Sequence, residues 1–155
     1  MPDDDTFLIA SIDRAERSRH EGNHPFGAVL VLYGTVVLEA GNTVVTDQDS
    51  TGHAETNLVR LATRTYARDE LAAATLYTST EPCAMCAGAV YWSGIGRVVY
   101  ALGEDELLAL TGANDENPTM ALPCREVFAA GQRPIEVSGP HLRERAVAVH
   151  DGFWN

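Results

Sequence analysis

The segment "ATLYTST", Ala74 to Thr80, passes without a linker into "EPCAMCAGAVYW". A β-branched, aromatic run stops and an apolar helical run begins at once. Pro82 fits the first position of that helix, where its missing N–H costs nothing. "RVVYAL", Arg97–Leu102, then reads as the next strand. Strand, helix and strand in this order describe a βαβ unit, so the sheet is partly parallel and carries helices on its faces.

The flanking segments extend this pattern. A first helix is predicted from about Thr6 to Arg19, with Leu8, Ile12 and Ala15 on one stripe. Asp3, Asp4 and Asp5 crowd its start, where the helix dipole favours negative charge. "FGAVLVLYGTVVLEAGN" reads as a hairpin turning at Tyr33-Gly34. The polar loop "TVVTDQDST" leads to a helix from His53 to about Tyr66, with Ala54, Leu58, Leu61 and Ala62 on one face. Glu104–Leu110 and Pro123–Ala130 read as short helices around the loop "TGANDENPTMA". "PIEVSG" is a fifth strand, and Leu142, Ala146 and Val149 mark a last helix before the tail "GFWN". The expected fold is α/β: a three-layer α/β/α sandwich around a central mixed five-stranded sheet, with about five or six helices in one domain over residues 1–155.

Bulk properties narrow the function. The chain is 45% hydrophobic and 21% charged, the composition of a soluble globular domain. No apolar run approaches the ~18–20 residues of a membrane span. "MPDDDTF" has neither the basic start nor the apolar stretch of a secretory signal, and three cysteines do not make a disulfide framework. The expected location is a reducing cytoplasm. Eleven basic against twenty-two acidic residues give a net charge of −11. That weighs against nucleic acid and anionic membranes, and leaves a small neutral substrate unaffected.

Cys83 and Cys86 stand at i and i+3, so their thiols are neighbours on a helix. In the first turn the positive dipole end favours the thiolates that bind metal. Core packing and a redox pair are the competing readings of these two residues. "GHAETN" tips the balance, because His53 opens a helix after a strand and loop. Adjacent strand ends bring both helix N-termini to one sheet edge, so His53, Cys83 and Cys86 converge. Three protein ligands are the open, catalytic zinc pattern, whereas four are the closed, structural one. Glu55, two residues past His53, is placed to move protons beside such an ion. A capping box is the alternative role, but Gly52, three residues before, lacks the required hydroxyl.

"HAE" at 53–55 followed by "EPCAMC" at 81–86 resembles the zinc-dependent cytidine/deoxycytidylate deaminase superfamily, whose signature is His-x-Glu and then Pro-Cys-x-x-Cys. The resemblance runs from about Phe26 to Leu102. "HPFGAVLV" and "EPCAMCAGAVYWSGIGRVVYAL" are similar to the branch of guanine, cytosine and tRNA adenosine deaminases. It implies the cytidine deaminase-like sandwich, Zn2+ on His53, Cys83 and Cys86 with water at the fourth position, and Glu55 as proton shuttle. It further implies substrate contacts from Asn42, Phe26 and Ala54, and from a loop carboxylate that falls on Asp115, beside Asn114 and Glu116. The C-terminal helix and tail are implied to close the pocket with Phe153 and Trp154. A turn-forming Asn42, a core Phe26 and tail rings that only anchor the last helix are the plainer readings. Glu81 is either a second proton-handling group or a helix cap. Cys124 is read as a buried structural thiol, His24 as a neighbour of the pocket strand, and His20, His141 and His150 as surface residues.

The implied reaction is hydrolytic deamination of a free nucleobase or related amino-heterocycle. Guanine stands first on "PFGAV", with cytosine or an aminotriazine next. A tRNA adenosine deaminase is the alternative substrate class. A non-catalytic module stapled by zinc, with Cys124 as fourth ligand, is the alternative of another kind. The resemblance also implies a homodimer, with C-terminal segments exchanged in some relatives.

Overall fold

The computed structural model describes residues 3–155. Helix α1 spans Asp4–His20 and starts on the Asp3 carboxylate, which accepts the Thr6 N–H at 3.1 Å. Arg17, Arg19 and His20 in its last turn complete the match to the dipole. Strands β1 (Gly27–Leu32) and β2 (Thr35–Gly41) form the hairpin. Tyr33 and Gly34 both take positive φ, 52° and 76°, as the two-residue primed turn between twisted strands requires. There follow α2 (Ala54–Thr65), α3 (Arg68–Ala72), β3 (Thr75–Thr80), α4 (Ala84–Ser93) and β4 (Arg97–Leu102). The chain ends with α5 (Glu104–Thr111), α6 (Cys124–Ala129), β5 (Glu136–Ser138) and α7 (Arg143–Ala148).

The sheet runs in the order β2-β1-β3-β4-β5. β1 is antiparallel to both neighbours, whereas β3, β4 and β5 are parallel. Alternation along the strands divides the core into two layers. Ala28, Leu30, Leu76 and Val98 share one cluster with Leu58 of α2, Val90 of α4 and Phe128 of α6. Val29, Val31, Tyr77 and Val99 share the other with Leu8 and Ile12 of α1, Leu107 of α5 and Val149 beyond α7. The result is the three-layer sandwich with a mixed sheet.

α1 lies very close to β1. A Cβ on Gly27 would stand 2.4 Å from the Ala15 nitrogen and 2.6 Å from the Ser11 oxygen. The start of α1 is tied across the sheet by Asp4, which takes two hydrogen bonds from Arg97, at 3.0 and 2.8 Å, and one from Tyr77 Oη at 2.6 Å. These contacts hold the Asp4 carboxyl low, at about 2, with the Arg97 hydrogen bonds the largest cause.

Four details differ from expectation. Leu61 is 44% exposed and lies off the buried face that Ala54, Leu58 and Ala62 share. α3 was not foreseen, because of its five residues only Leu71 is buried and no apolar period can register. α4 begins after Cys83, so Cys83 and not Pro82 occupies its boundary. His150 is not a surface residue: it is 4% exposed, held between the rings of Phe26 and Trp154 at 5.5 and 6.2 Å. Among the described residues no helix is long and apolar enough to cross a membrane.

The topology gathers one edge for chemistry. β2, β3 and β4 all run the same way, since β1 is antiparallel to β2 and to β3. The helices that follow them, α2, α4 and α5, therefore start at the same edge, where Phe26 also enters β1.

Candidate active site

His53 is the N-cap residue of α2 and Cys83 that of α4. Both have extended backbones, and neither side chain bonds its own helix. Instead the two side chains meet each other. Cys83 Sγ lies 3.5 Å and Cys86 Sγ 3.6 Å from His53 Nδ1. All three donor atoms fall within 4.8 Å of one another. Zn–S and Zn–N bonds of ~2.3 and ~2.05 Å at a tetrahedral angle separate S from N by about 3.6 Å. The donor set thus fits zinc, and no other cluster of this kind occurs among the described residues. Cys124 does not reach it. That thiol is fully buried elsewhere, and burial pushes its pKa up. Hydrogen bonding from Cys86 and then His53 holds the Cys83 thiol well below its ordinary range, which is the ligating form. Thr56 Oγ1 lies 3.2 Å from Cys86 Sγ and steadies it.

Glu55 is the second residue of α2 and only 6% exposed. Burial pushes its carboxyl up to about 7, with the negative charge of Cys83 adding and His53 opposing. It opens, with His53 and Cys83, onto a cleft of about 320 Å³ including its mouth. Phe26, Thr80 and Leu107 form the walls, and Glu104 and Asn117 also line it.

Glu81 lines this cleft as well, yet both its oxygens are committed. Oε1 accepts the Glu104 N–H at 3.0 Å and Oε2 the Cys124 N–H at 2.8 Å. These are the first amides of α5 and α6, groups that no helix can satisfy internally. Glu81 therefore caps two helices, though not the one it precedes.

Of the expected substrate contacts only Phe26 lines the cleft; Asn42, Ala54, Asp115, Phe153 and Trp154 lie off its lining. Asn42 is 2% exposed and directly follows β2; its Oδ1 accepts the Val44 N–H at 3.0 Å, which leaves Nδ2 as a donor. Ala54 is fully buried at the start of α2. Phe153 and Trp154 are not on the cleft lining. Trp154 stands behind Phe26 at 6.0 Å and donates from Nε1 to His150 Nδ1 at 3.0 Å. Phe153 and Trp154 both meet His24 edge-on, at 5.7 and 5.2 Å. Burial lowers the pKa of His24. Asp115 is exposed and off the lining, while Asn117, two residues on, is part of it.

Glu104 is the residue that sequence reasoning missed. It is 7% exposed, and its Oε2 has no hydrogen-bond partner among the described residues. Burial pushes its carboxyl up to about 8, with the charges of Cys83, Glu55 and Glu81 adding. Thr80 Oγ1, in the same cleft, is likewise buried and unpartnered. In "GEDELL" Glu104 reads only as an acid favoured by a helix start.

An α/β/α sandwich that brings a histidine and two cysteines to one point beside a buried glutamate defines a zinc-binding deaminase. The chain belongs to the cytidine and deoxycytidylate deaminase family, whose zinc-binding region matches residues 1–102. It is 44% identical over 150 residues to a probable cytosine deaminase of Schizosaccharomyces pombe, covering 96% of this chain and 91% of that one. It is 38% identical over 100 residues to a tRNA-specific adenosine deaminase of Bacillus subtilis, covering 64% and 62%. The structure of a guanine deaminase from Nitrosomonas europaea is similar with a TM-score of 0.79 and 28% identity, over 96% of this chain and 83% of that one.

Proposed function

We propose that this protein is a zinc-dependent hydrolytic deaminase of a free nucleobase, with cytosine as the first candidate and guanine or an aminotriazine next. The carrying observation is the three-donor cluster beside the buried Glu55 in a small cleft. Guanine stood first on the sequence. The S. pombe likeness spans nearly the whole of both chains, whereas the tRNA enzyme matches over 64% of this one. That difference favours a free base over tRNA, and the identity of 44% to the probable cytosine deaminase against 28% to the guanine deaminase favours cytosine over guanine.

In this reading His53, Cys83 and Cys86 hold the ion. When bound, zinc supplies the Lewis acidity that makes water a nucleophile at neutral pH. Glu55 takes a proton from the attacking water, passes it to the ring nitrogen beside the reacting carbon, and returns a proton to the departing amine. Ring–NH2 and water thus become ring C=O and ammonia. A carboxyl that titrates near neutrality suits both directions of transfer. Asn42 Nδ2 and the first-turn N–H of Ala54 hold the base in place, and Phe26, backed by Trp154, covers its face. The loop acid Asp115 and the tail ring of Phe153 stand further out, as elements that close over the bound base.

The reading includes a homodimer in the cytoplasm, where the three free cysteines stay reduced. Leu61, Met85 and Trp92, 44%, 37% and 77% exposed on the adjoining helices α2 and α4, offer apolar surface for pairing. The tail packs on its own chain's Phe26, and exchange between copies is the alternative arrangement.

Ammonia release from cytosine, guanine, cytidine and a tRNA anticodon stem-loop tests the proposal. Release from a free base is expected. Release from the stem-loop alone would overturn it in favour of RNA editing, which the net charge of −11 disfavours.

A further inference from the structure

The cleft holds two buried polar atoms without a hydrogen-bond partner among the described residues, Glu104 Oε2 and Thr80 Oγ1. A native protein rarely leaves such groups unpaired, because each costs the desolvation of a polar atom without return. They emerge from neighbouring strands: Thr80 pairs in register with Leu102, and Glu104 follows two residues later. Glu81 does not satisfy Glu104 Oε2: its oxygens accept the Glu104 and Cys124 N–H groups, and no bond joins the two carboxyls.

Their position relative to the reacting end is informative. His53, Glu55 and Cys83 reach the cleft from the starts of α2 and α4, one layer of the sandwich. Glu104 belongs to α5, whose Leu107 packs in the opposite layer. Glu55 and Glu104 thus line one cleft from different layers, and a flat six-membered ring with its amine-bearing carbon at Glu55 can present its far edge to Glu104. In cytosine that far edge is a ring N–H next to a C=O, a cyclic amide. A carboxyl oxygen accepts from the N–H in either protonation state, and the threonine hydroxyl donates to the carbonyl.

We propose that Glu104, assisted by Thr80, is the specificity residue that reads the cyclic-amide edge of a free pyrimidine base. The inference rests on the free-base reading above and adds to it a reason why the nucleoside is refused. In cytidine the same ring nitrogen carries the sugar, so it has no hydrogen to give and a bulky group takes its place. A site built to bond a polar group discriminates strongly against the analogue that lacks it.

The test compares cytosine with 1-methylcytosine, in which a methyl group replaces that hydrogen. The parent protein should deaminate cytosine at least about 100-fold more efficiently in kcat/KM. Glu104→Met, of similar shape but unable to accept, should reduce the ratio to within about tenfold. The same variant should melt at a higher temperature, because it removes an unpaired buried carboxyl. Glu104→Gln, which keeps one acceptor oxygen, should retain most of the ratio. If Glu104→Met holds its zinc and its fold yet keeps the parent's full ratio, the inference is overturned while the deaminase reading stands. A parent that accepts both bases equally, or deaminates guanine but not cytosine, also overturns the inference and leaves free-base deamination intact. A parent inactive on every free base overturns both, and the unmutated protein alone reveals it.

Discussion

Glu81→Gln probes how the cleft is held together. The native carboxylate sits 6% exposed and accepts the first N–H of α5 at 3.0 Å and of α6 at 2.8 Å. Glutamine has one acceptor oxygen. Whichever way its amide turns, an NH2 faces one of these two N–H groups. The loss is one hydrogen bond to a charged group, about 1.5–3 kcal/mol, plus part of the cost of a buried donor left unsatisfied, about 1–3 kcal/mol. Less repulsion of Glu104, on which the Glu81 charge acts, offsets some of this. The expected net cost is about 2–4 kcal/mol, or a melting temperature lower by roughly 5–15 °C for a chain of this size. Urea titration should show the midpoint falling with the slope unchanged. A change below about 0.5 kcal/mol would refute the claim that Glu81 bridges two helix starts, since that is the range of an ordinary surface substitution.

Gly27→Ala should cost about 3 kcal/mol or more, because its Cβ would meet the α1 backbone at 2.4 Å and neither element has a side chain to move aside; denaturant melts check this. Asp4→Asn should cost about 1 kcal/mol at pH 7, a figure reduced for screening because the Asp4 side chain is 38% exposed. The folded carboxyl lies near 2 against an ordinary 3.8, so its contribution is complete above about pH 4 and lost as the pH falls through 2; the gap between parent and variant should close over that window. Glu55→Gln should bind zinc as the parent does, measured by metal analysis, while deamination falls about 10²–10⁴-fold. Cys124→Ser should leave the zinc content unchanged at a cost of about 1–2 kcal/mol; loss of metal would instead favour the closed module.

Much of this architecture is written locally. The unbroken apolar run of Gly27–Leu32 announces a strand buried on both faces, and the single stripe of Leu8, Ile12 and Ala15 announces the buried side of α1. The candidate metal ligands are legible because the pair at 83 and 86 and the His53-x-Glu55 motif fall together at helix starts. What escapes is set by tertiary contact. Glu104 looks like any acid at a helix start until the sheet edge buries it. His150 carries no sequence signal of its own and loses its solvent only when the tail ring of Trp154 folds back towards Phe26. Asn117 rather than Asp115 lines the cleft because the path of an irregular loop leaves no period to count. The short α3 carries a single buried residue, too little for any pattern.

The boundary positions of α2 and α4 carry a longer consequence. His53 and Cys83 occupy places where asparagine, aspartate, serine or threonine would tie down a free amide, a device worth about 0.5–2 kcal/mol each. Without the ion, the chain holds weak cappers at both. Exchange to asparagine at 53 or serine at 83 would tighten the bare scaffold and abolish metal binding together. Stability of the bare chain and affinity for the ion therefore pull these two positions in opposite directions.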